Sequence, residues 1–237
     1  TTLVVMESLS PEGALTLRVL PGRLGDVLFE DGKDRSSEVN FALSLRSGDL
    51  LNLRALEQAL ETWSRLPNTE VSFKVMPTER RGFSDILVTW RQGNPWRLIG
   101  SADNAGSATT GRYQGSLSAV WGNALHLNDL ASISVTRSLG RATGEGNPYL
   151  FSLTGQWSIP FGYWRMDASW MSSEAVQWLT LPNAPRYITQ NQLGQMAIYR
   201  TLHRDAQQHT EGFGQLLLHR GSGDLGGVLA IQNRRAT

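Results

Sequence analysis

Two spacings of apolar residues divide the chain. Up to about residue 92, helical and alternating spacings are mixed; from Trp96 onward only alternation remains. Leu53, Leu56, Leu60 and Trp63 fall three, four and three residues apart, on one face of a helix, while Arg54, Glu57, Gln58 and Glu61 fall elsewhere. Asp49 or Asn52 can cap this helix, and Pro67 stops it after Leu66. Around it the sequence predicts a short strand at Val27 to Phe29 and a short helix or turn in NFALSLRSGD. A strand at Glu70 to Met76 follows, with Val71, Phe73 and Val75 alternating with polar residues. The last strand is Phe83 to Trp90, with Ile86, Val88 and Trp90 on one face. A helix can cover one face of such a three-stranded sheet. Ahead of this unit, Thr2 to Met6 and Ala14 to Leu20 flank the turn signal SPEG and read as a hairpin. A lone hairpin is not stable in water, so this one belongs to something larger.

After Trp96 the segments alternate with a period of two. Tyr113, Leu117, Ala119 and Trp121 oppose Arg112, Gln114, Ser116 and Ser118. Ala131, Ile133 and Val135 oppose Ser132, Ser134, Thr136 and Ser138. Tyr149, Phe151, Leu153, Trp157 and Ile159 oppose Ser152, Thr154, Gln156 and Ser158, and Trp164, Met166, Ala168 and Trp170 oppose Arg165, Asp167 and Ser169. Less regular alternation continues at Leu193 to Leu202, Gly212 to Arg220 and Val228 to Gln232. With Trp96 to Asp103 this makes about eight strands, many long enough to cross a bilayer at a tilt. Short turns at PFG (160–162) and HRDAQQ (203–208) alternate with longer polar or proline-rich stretches, GRATGEGN and the SSEAVQWLTLPNAPRY region, as the two ends of an outer-membrane barrel do. Tyr149, Trp157, Trp164, Trp170 and Trp178 fall at strand ends, where interfacial girdles would sit. A soluble β-sandwich also alternates, although its strands are usually shorter.

Composition narrows the function classes. The 237 residues carry 22 Lys plus Arg against 21 Asp plus Glu, with no basic stripe, which argues against a nucleic-acid binder. No cysteine is present, excluding disulfides, thiolate metal sites and a thiol nucleophile. No apolar run approaches the ~20 residues of a membrane-spanning helix, so any membrane role falls to strands. His126, His203, His209 and His219 form no metal-binding pattern and read as turn or strand residues. GEGNPYLF follows no strand-to-helix pattern that would cradle a phosphate, and GQWSIPFG is not GxSxG. No catalytic, cofactor or metal site is expected, and the chain does not read as an enzyme.

The segments LTLRVLPGRLGDV, GDLLNLRALEQALETWSRLP and SDILVTWRQGNPWRL, followed by SADNAGSATTGRYQGSLS, LND at 127–129 and YRTLHRDAQQHT, resemble the TpsB transporters. These are the outer-membrane half of two-partner secretion systems, also called haemolysin activation and secretion proteins of the ShlB/FhaC/HecB type. The resemblance covers nearly the whole chain, and its ordered set of segments, rather than any single motif, carries it. It implies an α+β POTRA domain followed by an antiparallel transmembrane β-barrel segment. Residues 1–20 would be the terminal hairpin of a first POTRA domain, 23–93 the second POTRA domain, and 95–237 the N-terminal half of the barrel. Family barrels have sixteen strands and carry a Val-Arg-Gly-Tyr motif and an aromatic C-terminal strand end that this sequence lacks. The chain is therefore expected to be a segment of such a transporter, whether a truncated gene product, a fragment or an excised piece.

The resemblance further implies a periplasmic POTRA domain, a barrel in the bacterial outer membrane, and export of an unfolded TpsA-type exoprotein (haemolysin, adhesin or contact-dependent toxin) without ATP. Outer-membrane lipid and the barrel-assembly machinery would be the other partners; no cofactor or nucleic acid is implied. An edge strand can accept an extended client by β-augmentation, so Val71, Phe73 and Val75, with Leu53, Arg54 and Glu57 on the neighbouring helix, are the candidate client-binding residues. The plainer reading is that Val71, Phe73 and Val75 face the core of their own domain. Arg112, Gln114, Arg165 and Asp167 are the candidates to line a conduit. An outer-membrane assembly or chaperone factor, or a soluble β-rich binding module, are the alternatives.

Overall fold

The computed structural model describes residues 2–9, 15–139, 148–178, 185–204, 208–227 and 229–236. It divides into two compact units: 1–95 with the segments 125–128 and 160–163, and 96–124, 129–159 and 164–237. The first begins with an antiparallel pair, β1 (Thr2–Leu9) and β2 (Leu15–Pro21). It continues through β3 (Arg23–Phe29), α1 (Ser36–Ala42), α2 (Leu53–Ser64), β4 (Thr69–Pro77) and β5 (Phe83–Gln92). The three strands form one sheet in the order β3-β5-β4, with β5 central, parallel to β3 and antiparallel to β4.

Local chemistry sets these boundaries. The Asn52 side chain accepts a hydrogen bond from the Arg54 amide at 3.0 Å, a cap of the kind that contributes about 1 kcal/mol. After α2, Pro67 cannot continue a helix, and Asn68 takes a left-handed φ of 51° that turns the chain into β4. The amphipathic helix lays Ala55, Leu56, Ala59 and Trp63 on a core completed by Leu24, Ala42, Leu43, Leu66, Ile86, Val88 and Trp90. Phe29, Trp63 and Trp90 meet edge to face, with ring centroids 5.8 to 6.4 Å apart. The Arg35 guanidinium lies 5.0 Å from the Phe29 ring centroid and 5.4 Å from that of Trp90, and forks onto the Asp31 carboxylate at 2.7 and 2.8 Å. That fork, the largest influence on Asp31, lowers its pKa to about 2. Of the histidines, His126 lies in a turn with its Nδ1 3.2 Å from Glu38 Oε1, and Asn128 Nδ2 donates to the Glu38 carbonyl at 2.7 Å.

Gly25 lies where β3 passes closest to β5. A Cβ there would collide with the Asp85 carboxylate, whose Oδ1 accepts from the Asp26 amide at 2.8 Å. Gly25→Ala is expected to push that carboxylate aside and destabilise the unit by about 1–2 kcal/mol. Hydrogen exchange should then quicken along Phe83–Gln92.

The second unit is one eight-stranded sheet of β6 (Trp96–Asp103), β7 (Gln114–Gly122), β8 (Leu130–Ser138), β9 (Tyr149–Phe161), β10 (Trp164–Trp178), β11 (Arg186–Arg204), β12 (His209–Leu225) and β13 (Leu229–Ala236). Every strand neighbours its successor in sequence. The eight alternating segments and the α/β unit before them thus take the expected fold class. Three details differ from the sequence reading. Pro160 and Phe161 end β9, leaving Gly162 and Tyr163 as the turn. Ser172 to Trp178 continues β10, paired in register with Arg186 to Gln192, so the expected long connection shrinks. Arg112 lies in a bend before β7 rather than in the strand. The expected loop 140–147 and residues 205–207 of the expected HRDAQQ turn lie outside the described residues.

The two units differ most in where their apolar side chains go. Among the described residues, the buried apolar side chains belong to the first unit, apart from Val176 and Ala197. The sheet of the second unit leaves its large apolar residues uncovered: Leu98, Leu117, Ile133, Met196 and Leu218 are each more than half exposed. Two packed sheets would bury these residues between them, so the soluble-sandwich reading does not hold.

Candidate functional site

Strand order leaves β4 at one edge of its sheet, with β5 as its neighbour on the other side. Along β4, Thr69, Val71 and Phe73 are half-buried while Glu70, Ser72 and Lys74 are exposed; from Val75 to Pro77 every residue is exposed. Val71 and Phe73 pack against the core cluster, so their side chains are already engaged inside the unit. Val75 reaches the surface at 40% exposure, beside Met76 at 45%. Leu53, Arg54 and Glu57 lie on the exposed face of α2, away from the stripe of Ala55, Leu56 and Ala59. The six candidates therefore do not form one surface. What remains available is the β4 backbone edge and its exposed end.

In the second unit the register sorts side chains onto two faces. One carries Trp96, Leu98, Leu117, Trp121, Ile133, Val135, Leu153, Trp157, Trp164, Met166, Trp170, Met196, Ile198, Leu216 and Leu218, matched rung by rung within β6–β9 and within β10–β12. At one end of the strands this face has an aromatic row of Trp96, Trp121, Trp157 and Trp164. Two of these are fixed by polar partners. The Trp157 indole donates to Asp129 Oδ2 at 3.0 Å, and the Arg200 guanidinium lies 5.0 Å from the Trp164 ring centroid. The side chain of Trp178 lies outside the described residues.

The other face is polar and hydrogen-bonded between strands. Ser101 and Ser116 share a hydrogen bond at 2.7 Å, Ser118 Oγ donates to Ser134 Oγ at 2.8 Å, and Gln195 Nε2 donates to Gln215 Oε1 at 3.3 Å. Arg165 and Asp167 stand two residues apart on this face, with Nε donating to Oδ2 at 3.1 Å. The Arg165 guanidinium also lies 4.2 Å from the Tyr199 ring centroid, and Tyr199 stacks on Phe213 at 5.8 Å. Gln114 opens β7 opposite Asp103 and Ser138, and Arg112 is exposed in the preceding bend. The structure thus gathers Arg165 and Asp167 into one cluster and leaves Arg112 and Gln114 apart from it. The Tyr199–Phe213 pair was missed because two aromatics on a polar face meet only once the strand register is known.

The two faces of the sheet are thus chemically opposed, one polar and hydrogen-bonded between strands, the other apolar and largely exposed. Among the described residues no group of acidic and histidine side chains is placed to hold a metal ion, and no helix is long and apolar enough to cross a membrane.

Comparison with known proteins agrees with this architecture. The model of the haemolysin secretion/activation protein family ShlB/FhaC/HecB matches residues 82–237, and a POTRA domain model matches residues 18–77. The outer membrane transporter CdiB-2 of Burkholderia pseudomallei (strain 1026b) is 34% identical over 183 residues, 77% of this chain and 31% of that protein. The outer membrane transporter CdiB of Dickeya dadantii (strain 3937) is 27% identical over 224 residues, 94% of this chain and 39% of that protein. The chain thus spans about a third of the length of these relatives. The solved structure of CdiB from Escherichia coli superposes with a TM-score of 0.87 at 23% identity, covering 99% of this chain and 43% of that one, a likeness of fold. An eight-stranded sheet with one apolar and one polar face, a preceding POTRA unit and a family match over most of its length together place the chain in the haemolysin secretion/activation protein family ShlB/FhaC/HecB.

Proposed function

We propose that this chain is the N-terminal part of an outer-membrane transporter of two-partner secretion. In this reading residues 23–93 are a periplasmic POTRA domain that recognises an unfolded exoprotein. Residues 95–237 are the first half of the barrel that passes the exoprotein outward. The observation that carries the reading is the unburied apolar face of the eight-stranded sheet, backed by a polar face holding Arg165 and Asp167. An apolar face of this extent, on strands long enough to cross a bilayer, suits lipid. Gly93, Asn94 and Pro95 connect the POTRA unit directly to β6, the first strand of the sheet. Lipid and the barrel-assembly machinery are the partners this reading requires for insertion.

The test is secretion of a neighbouring exoprotein in a deletion strain, with restoration by the intact gene as the control. Loss of that one exoprotein supports the transporter reading; loss of many outer-membrane proteins would point to an assembly factor instead. Client docking has its own test at β4. Val75→Asp, at an exposed position, is expected to weaken binding of the unfolded exoprotein about tenfold. It should leave stability within about 0.5 kcal/mol. Phe73→Asp is expected to unfold the unit instead, because Phe73 packs on the core. Unchanged affinity with Val75→Asp would move the docking site elsewhere.

A further inference from the structure

Near one end of the apolar face its pattern breaks. On one rung Trp170, Gly194, Leu218 and Ala236 stand in line across β10 to β13. On the next rung toward the turn at Gly226 and Gly227 stand Ser172, Gln192, Arg220 and Arg234. Arg220 and Arg234 are direct cross-strand partners, and both are exposed. Like charges placed opposite each other across two strands repel and destabilise the pair. Among the described residues neither guanidinium has an acidic partner. The nearby carboxylates are otherwise engaged: Glu174 accepts from Tyr149 and Gln190, and Asp224 accepts from the Gly227 amide. Trp170, Gln192, Gly194, Leu218, Arg220 and Arg234 are among the residues lining a depression of about 580 Å³, which His219 and Arg235, partners on the opposite face, also border. Gly194 leaves its floor without a side chain, and Trp170 and Leu218 are 45% and 52% exposed beside it.

We propose that this depression binds the phosphate-bearing headgroup of an outer-leaflet lipid, with its phosphate between the two guanidiniums and its acyl chains along Trp170 and Leu218. The inference rests on the outer-membrane reading. Arg220 lies eleven residues beyond His209, the first residue of β12. At ~3.3 Å per residue that is about 36 Å along the strand, or about 27 Å of height at a tilt of roughly 40°. The apolar band of such barrels is about 25 Å tall, so the arginines stand at the far headgroup layer. Two planar forks suit a phosphate better than any neutral headgroup. An anion between them also removes their mutual repulsion.

The chain is reconstituted in phosphatidylcholine nanodiscs doped with either phosphorylated or dephosphorylated lipid A, and the retained lipid is counted by native mass spectrometry. The wild type is expected to prefer the phosphorylated form about tenfold. R220Q/R234Q is expected to lose that preference, while R137Q, a remote arginine on the same face, keeps it. Should the double variant not assemble, R234Q on the edge strand carries the same test with a drop of about threefold. Equal retention of both lipids, an unchanged preference in the arginine variants, or displacement by excess inorganic phosphate would each overturn the proposal. A chain that does not enter the bilayer would overturn the outer-membrane reading as well; one that enters without discriminating between the lipids would overturn only this inference.

Discussion

Val135→Arg is expected to cost about 2–4 kcal/mol of insertion, the penalty for a guanidinium near the middle of a barrel's lipid face. Val135 lies on the apolar face between Leu117 and Leu153, its partners on either side. With no acceptor at that depth, the charge must stay buried or drag water and headgroups inward. Each 1.4 kcal/mol is a factor of ten, so the folded, inserted fraction in a urea titration with lipid vesicles should fall by one to three decades. Ser134→Arg, one residue away, is the control. Ser134 belongs to the polar face and accepts from Ser118 Oγ, so its replacement should cost about 1 kcal/mol, one hydrogen bond. Equal losses at the two positions would mean that both faces meet the same solvent.

The second large effect lies in the other unit. Trp63→Ala is expected to destabilise it by about 3–5 kcal/mol, close to the whole stability of many domains of its size. Trp63 is 3% exposed and touches both Phe29 and Trp90, so its removal empties the centre of the aromatic cluster. Hydrogen exchange should show protection lost at Ile86 and Val88 while strands β6 to β13 keep theirs, because those strands draw nothing from this core. Leu53→Ala is the contrast: Leu53 is 61% exposed, and its loss should change stability by less than about 0.5 kcal/mol.

That contrast also marks how far the sequence could be read. Leu53, Leu56, Leu60 and Trp63 correctly indicate a helix, yet the buried stripe is Ala55, Leu56, Ala59, Thr62 and Trp63. The two alanines are too small to stand out in a hydrophobic pattern, but they let the helix lie close to the sheet, and they rotate the buried face. In the second unit alternation was legible wherever the sheet has one apolar and one polar face, as from Ala131 to Val135. It failed at Ser172 to Trp178, which reads as a polar loop. There Ser172, Ser173, Glu174 and Gln177 put polar side chains on both faces around the buried Val176, so the alternation stops while the backbone ladder to Arg186–Gln192 continues. Sites made across strands were the least legible. Arg220 and Arg234, or Tyr199 and Phe213, are adjacent only through register, which no single segment encodes.

The absence of cysteine makes the central claim directly measurable, because any single introduced thiol can be labelled alone. Cysteines placed one at a time at Ala131, Ser132, Ile133, Ser134, Val135 and Thr136 and spin-labelled in reconstituted bilayers would report their collision rates with oxygen and with a water-soluble nickel chelate. The account predicts a period of two: oxygen favoured at 131, 133 and 135, nickel at 132, 134 and 136. Rates that do not alternate, or that are low for both reagents at every position, would contradict it, because the two faces would then not lie in different solvents.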